Sequence, residues 1–322
     1  FPIPPKANRV RQGVTVPLNK ILADLADQEK PLATGRLAYL SGLSKEEVRL
    51  LDQTWSTVEA SRRRQVVKKL VDLAEDNTEL DFNAFFRRCL QDEEPAIRVM
   101  AIEGLWECED RWLLYGLERL LCCDPGAEVR AAAATALGRF ILLGELGKLR
   151  PEEAGKLQQA LFACLENDRE PLLVRRRAIE AVSHLSLPQV TTVIEQAYAS
   201  PDRPMRASSL YAMGRNADPR WLPILFQELE NDDGEMRYEA THACGERGDP
   251  RAAPFLVPLI DDPDPDVQFA AVDSLGKVGG SLALRALRSR LHDPDKWLRQ
   301  AVANALEDLE ATRDPFNFEI GS

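Results

Sequence analysis

Apolar residues recur along this chain in a fixed frame. Ile97, Ala101 and Leu105 stand at −1, +3 and +7 around Arg98, and Val129, Ala133 and Leu137 repeat the arrangement around Arg130. The frame returns at Arg175, Arg206, Arg237, Gln268 and Arg299, so successive anchors lie 32, 45, 31, 31, 31 and 31 residues apart. Positions three and four apart share one side of an α-helix, so each unit is expected to carry a helix with one buried stripe. A second apolar stretch precedes it, such as Trp221 to Leu229 or Ala252 to Ile260, and a polar turn such as Asp261 to Asp266 joins the two. One such pair cannot shield both apolar faces from water, so the pairs must stack. Gly138, Gly214, Gly245 and Gly276 come one residue after the last core position and are expected to end their helices.

Two regions depart from the frame. The 45-residue step exceeds the period by about fourteen residues, and the excess falls at 142–153, Leu142 to Glu153, where Gly and Pro predict a linker that lengthens a connection. Ahead of the frame, helical segments are expected at Leu18–Ala26, Leu32–Leu40 and Lys45–Trp55. They suggest a helical cap over residues 17–75 whose part 44–75, with Arg63, Val66, Val67 and Leu70, is a divergent first repeat. Residues 76–310 then form the repeat array, flanked by a basic, Pro-rich tail at 1–16 and a second tail at 311–322.

The frame over about residues 80–310 resembles HEAT repeats, and its 31-residue period is similar to their short bacterial branch, the phycobilisome-lyase type. The resemblance implies an all-α fold, a right-handed α-α superhelix of seven or eight helix pairs. It also implies a ladder in which a turn Asp pairs with the Arg that follows. The rungs would be drawn from Asp92, Arg98, Asp124, Arg130, Arg175, Arg206, Arg237, Asp262, Asp293 and Arg299. Arg169, Ser200 and Asn231 stand where an Asp would, and Gln268 where an Arg would, which weakens the ladder locally. The branch's name-giving members also imply an alternative role, an auxiliary lyase-like protein that handles a tetrapyrrole. A fold of this kind by itself says little about activity.

Charge narrows the remaining functions. The net charge is −11, which argues against a general nucleic-acid binder. Residues 1–70 nevertheless hold 13 Lys or Arg against 7 Asp or Glu, so nucleic-acid contact through Arg62 to Arg64, Lys68 and Lys69 stands as a second alternative. The six cysteines form no C-x-x-C pair and most sit among apolar neighbours, as expected of reduced, buried thiols in a cytoplasmic protein. No apolar run approaches the length of a membrane helix.

Little in the sequence suggests catalysis. The three histidines, His184, His242 and His292, are followed by Leu185, Ala243 and Asp293, so the His-Glu dyads with which an iron-binding branch of the HEAT superfamily holds its metal are missing. Asp262, Asp264 and Asp266 have calcium-loop spacing, but Val267 stands where that loop needs Gly, and Asp273 where it needs Glu. There is no dinucleotide, phosphate-loop or nucleophile-elbow motif. The expectation is a protein without cofactor, metal or catalytic site that scaffolds a protein partner.

The second helices of such pairs are expected to line a concave side. There, positions +1 and +5 from each anchor bring Tyr211, Tyr238, His242 and Phe269 together, with Arg176 and Asp273 as charged neighbours. Clustered exposed aromatic residues are candidate anchors for a protein or peptide. Residues at +9, Arg139, Arg215 and Lys277 with Glu107, Glu246 and Asp308, are expected to form its polar rim.

Overall fold

The structure is a computed structural model that describes residues 18–27 and 30–313. The tail expected at 1–16, and the part of the second tail beyond residue 313, lie outside the described residues. Those described form α-helices and short 3₁₀ turns, and no strand occurs among them.

The chain opens with α1 (Leu18–Ala26) and α2 (Thr34–Leu37), which continues as a 3₁₀ turn over Ala38–Leu40. Helix pairs follow in order: α3 (Lys45–Trp55) with α4 (Ala60–Asp76), α5 (Asn83–Cys89) with α6 (Pro95–Gly104), α7 (Arg111–Cys123) with α8 (Ala127–Glu145), and α9 (Pro151–Glu166) with α10 (Leu172–Val182). The series continues with α11 (Pro188–Tyr198) and α12 (Arg203–Arg215), α13 (Trp221–Glu228) and α14 (Gly234–Arg247), α15 (Ala253–Leu256) and α16 (Pro265–Val278), then α17 (Gly280–Ser289) and α18 (Lys296–Arg313). Pro254 and Pro258 limit α15 to one turn flanked by 3₁₀ segments at Pro250–Ala252 and Val257–Asp261, because proline removes the N–H that a continuing helix needs.

By compactness the chain divides into two units, the first running to Arg177 and the second from Ala178, with residues 145–148 grouped with the second. In both, every residue at −1, +3 and +7 of the seven anchors is buried, from Ile97, Ala101 and Leu105 to Leu298, Val302 and Leu306. The first unit adds a cluster of large aromatic residues. Trp55 meets Phe85 edge-on with ring centroids 5.0 Å apart, and Phe86 stands edge-on to both Phe82 and Phe85. Its α3 begins with a reciprocal cap: Ser44 accepts the Glu47 N–H at 3.2 Å, while the Glu47 carboxylate accepts the Ser44 N–H at 2.8 Å.

Three expectations require correction. Leu142 to Glu145 are helical and α9 starts at Pro151, so the insertion expected as a linker at 142–153 is largely absorbed by α8 and α9, which reach 19 and 16 residues. Gly138, Gly214, Gly245 and Gly276 sit inside helices rather than ending them. At three of these the reason is proximity between neighbouring second helices. A Cβ at Gly214 would lie 2.6 Å from the Ala243 Cα, one at Gly245 2.9 Å from the Ser274 Cα, and one at Gly276 3.1 Å from the Ala305 Cβ. The residue that caps α14 is Gly248, whose φ of 60° is the left-handed conformation glycine tolerates best. Finally, Cys89, Cys108, Cys164 and Cys244 are buried, but Cys122 and Cys123, at the end of α7, are exposed.

Candidate interaction surface

Six of the seven repeat turns are built the same way, the turn before Arg175 being the exception. The residue six before the anchor accepts a backbone N–H two residues ahead: Asp92 from Glu94, Asp124 from Gly126, Ser200 from Asp202, Asn231 from Asp233, Asp262 from Asp264 and Asp293 from Asp295. Asp, Asn and Ser all make this turn, which explains why they exchange at the position. The Arg of the same repeat then donates to that residue's carbonyl. Arg98 reaches the carbonyl oxygens of Asp92 at 2.7 Å and Glu93 at 3.0 Å. Arg130, Arg206, Arg237 and Arg299 do likewise, and Gln268 reaches the Asp262 carbonyl at 2.6 Å.

For Arg98, Arg130 and Arg237 the carboxylate partner comes from the following repeat, and the expected pairing of an Asp with the next Arg in sequence is corrected accordingly. Arg98 grips Asp124 with two parallel bonds, Nε–Oδ2 at 2.8 Å and Nη2–Oδ1 at 2.7 Å, and both side chains are buried. Arg237 grips Asp262 the same way, at 2.8 Å twice. Burial pushes the Asp262 carboxyl up, but the Arg237 bonds and the Asp264 N–H outweigh it and hold it below its ordinary value. The buried Arg63 of α4 joins the series by contacting Asp92, which also accepts the Trp55 indole N–H at 2.8 Å. Across the long step Arg130 takes Glu170 instead, at 2.7 Å. Arg175 comes no nearer than 4.0 Å to Asp168 of its own turn, and Arg206 has no carboxylate within ion-pair distance among the described residues. Asp293 receives a longer contact from Arg290 at 3.4 Å. The acidic run at Asp262, Asp264 and Asp266 therefore serves as turn and helix cap.

The expected aromatic patch falls on two units. Arg176 is half-buried in the first, whereas Tyr211, Tyr238, His242, Phe269 and Asp273 belong to the second. In the second unit α12, α14, α16 and α18 pack in succession. Tyr238 and His242, one turn apart on α14, meet edge-on with centroids 4.8 Å apart. Both are half-buried. Burial lowers the His242 imidazole pKa and raises that of the Tyr238 hydroxyl. Tyr211 is half-buried beneath the Arg215 guanidinium, 4.6 Å from its ring centre. Phe269 is 37% exposed and stands beside a groove of about 530 Å³ between α16 and α18, bordered by Asp273, Lys277, Asn304 and Asp308 and floored by Gly276 and Ala305.

Much of the expected rim is an internal ion network. Glu246 lies 2.9 Å from Lys277 and 3.7 Å from Arg215, and Lys277 also holds Asp273 at 3.0 Å. Arg139 turns inward and donates to the Cys108 carbonyl at 2.7 Å. Arg247 and Asn216 hold helix-end carbonyls of the preceding repeat in the same manner. These caps escaped the sequence reading because nothing in the spacing separates a rim charge from one that folds back onto helix-end carbonyls.

Of the basic patch expected at Arg62 to Arg64, Lys68 and Lys69, Arg64, Lys68 and Lys69 are exposed while the other two arginines are turned inward. Arg62 is buried and donates to the carbonyls of Leu25 and Lys30, and Arg63 is buried against Asp92 and Glu93. Arg64 pairs with Glu94 at 3.0 Å, and Lys69 donates to the Leu32 carbonyl. Among the described residues no group of three or more His, Cys, Asp and Glu side chains is placed to hold a metal ion, and no helix is long and apolar enough to cross a membrane.

Comparison with known proteins places this architecture. A family model described as HEAT repeats matches residues 222–307. No curated protein matches the sequence. Among solved structures, yeast importin-beta is 12% identical with a TM-score of 0.51, covering 93% of this chain and 47% of its own. The YibA protein of Escherichia coli is 17% identical with a TM-score of 0.44, covering 78% of this chain and 98% of its own. Human deoxyhypusine hydroxylase is 20% identical with a TM-score of 0.30, covering 91% and 96%. At these identities the likeness to importin-beta speaks for the fold alone, a helical solenoid, and it agrees with the repeating turn and the buried stripe. Residues 222–307 match HEAT repeats, and the same turn and buried stripe recur in the helix pairs that precede them.

Proposed function

We propose that this protein is a non-catalytic scaffold that holds a protein partner on the second-helix face of its second unit, around Tyr238, His242, Phe269 and Asp273. The observation that carries the reading is Phe269, a large apolar side chain more than a third exposed at the edge of a groove whose floor is Gly276 and Ala305. An aromatic anchor beside a recess, ringed by charges, is the anatomy of an interface centre with a polar rim. Burial lowers the His242 pKa, which disfavours a cationic imidazole within the patch. The test compares tagged wild-type chain with a Tyr211→Ala, Tyr238→Ala, Phe269→Ala variant of matching helicity and melting behaviour. The variant is expected to lose the protein that copurifies with the wild type in stoichiometric amount. Undiminished recovery of that protein would remove the patch from consideration.

A further inference from the structure

The first unit carries a second recess on the side formed by its first helices. A trough of about 850 Å³ runs along α3, α5 and the start of α7, and a smaller hollow of about 140 Å³ continues it over Gly116. Across trough and hollow, Lys45, Arg49, Arg87, Arg88 and Arg119 outnumber Asp52, Asp81 and Asp110, a cationic excess in a chain of net charge −11. Arg88 is matched by Asp52, but Lys45, Arg49, Arg87 and Arg119 are exposed and have no carboxylate within ion-pair distance among the described residues. The Arg87 guanidinium stands over the Trp112 ring, 4.6 Å from its centre, a cation–π contact that restrains the side chain.

Gly116 supplies an independent observation. It sits in the middle of the 13-residue α7, where glycine weakens a helix, and a Cβ built there would meet nothing within 4 Å. Close helix packing, which accounts for Gly214 and Gly245, does not account for Gly116. Its effect is to hold open the hollow between the Arg87–Trp112 stack and Arg119.

We infer that this trough is a docking site for an acidic peptide segment of a partner protein, with an apolar side chain entering the hollow over Gly116 and flanking carboxylates taken by Arg87 and Arg119. Arginine forks match carboxylates bidentately, and an Arg already resting on an aromatic face loses little freedom on binding. Asp81 and Asp110 also line the walls and disfavour a polyphosphate backbone, which repeats its charge at every step. A peptide can set its carboxylates apart to avoid them.

The experiment is fluorescence anisotropy of the full chain with a labelled Glu-Asp-Phe-Glu-Glu-Leu peptide, alongside a single-stranded RNA oligonucleotide of equal charge. Saturable peptide binding is expected, weakened about tenfold or more by Arg87→Glu with Arg119→Glu. Gly116→Phe, which leaves every charge in place, is expected to weaken it similarly. Arg220→Glu in the second unit, and the Tyr211, Tyr238 and Phe269 triple variant, should leave it unchanged, which separates this site from the proposed aromatic patch. Absent binding, binding that survives both trough variants, or tighter binding of the RNA than of the peptide would each overturn the assignment.

Discussion

The two units fix the register of their repeats by different means. In the first, guanidinium–carboxylate pairs join successive repeats, Arg63 to Asp92 and Arg98 to Asp124 buried and Arg130 to Glu170 partly so, around a core thickened by Trp55, Phe85 and Phe86. In the second, Arg237 to Asp262 repeats that device and Arg203 to Asp233 does so at the surface, while glycines at Gly214, Gly245 and Gly276 admit the neighbouring helix. The 31-residue spacing is strict in the second unit, where helix backbones come close, and loosest in the first, where long side chains span the gap. The single Arg130–Glu170 bond spans the longest step, whereas the glycine contacts occur where the spacing is 31 residues.

Four experiments would break or sharpen that contrast. The largest effect is expected from Asp124→Ala, which strands the buried Arg98 without its counter-charge and should cost about 3–5 kcal/mol. Hydrogen exchange should show the loss concentrated in the first unit; uniform protection would mean the pair is dispensable. Next, Gly245→Val drives a branched side chain into Ser274 of the next helix and should cost about 1–3 kcal/mol or more by urea unfolding, felt in the second unit. An unchanged midpoint would show that those helices can part freely.

A smaller effect of opposite sign is expected from Gly116→Ala, where open space at a mid-helix position predicts a gain of about 0.5–1 kcal/mol. A destabilised variant would reveal a contact over Gly116 that the geometry does not show. The smallest effect concerns pH. Burial lowers the pKa of His184 and His242 in the folded second unit, so the unfolded chain takes up their protons first as pH falls. Stability attributable to them is complete above about pH 6.5 and declines as pH drops through their lowered values. Urea midpoints measured across that range should shift less in a His184→Gln, His242→Gln variant than in wild type; parallel curves would assign the dependence elsewhere.

The buried stripe was legible in the sequence because helical periodicity is local, and each of its residues lies within a few positions of its anchor. The partner of each Arg was not. Proximity suggests the Asp six residues earlier, yet that carboxylate is engaged by the N–H two residues ahead and faces the Arg of the preceding repeat, 26 residues away for Arg98 and 25 for Arg237. The glycines were misassigned for a related reason. A glycine near a helix end reads as a terminator, and only the backbone conformation, positive at Gly248 and helical at Gly245, separates a cap from a close contact. Arg62 and Arg63 read as surface charge because nothing in the local pattern reveals that carbonyls of Leu25 and Lys30, or the Asp92 carboxylate, wait to receive them. Of the aromatic candidates, Phe269 was legible as exposed, while the hollow over Gly116 was invisible without coordinates.

The forward reach of the arginines also bears on how the chain is made. Synthesis delivers residues in order, so Arg98 leaves the ribosome well before Asp124, and Arg130 forty positions before Glu170. Until its counterpart emerges, each newest repeat of the first unit exposes a cation that its finished form encloses. The nascent array is therefore always one repeat short of closure, and a pause in translation just after Arg98 or Arg130 would leave an incomplete end accessible to chaperones.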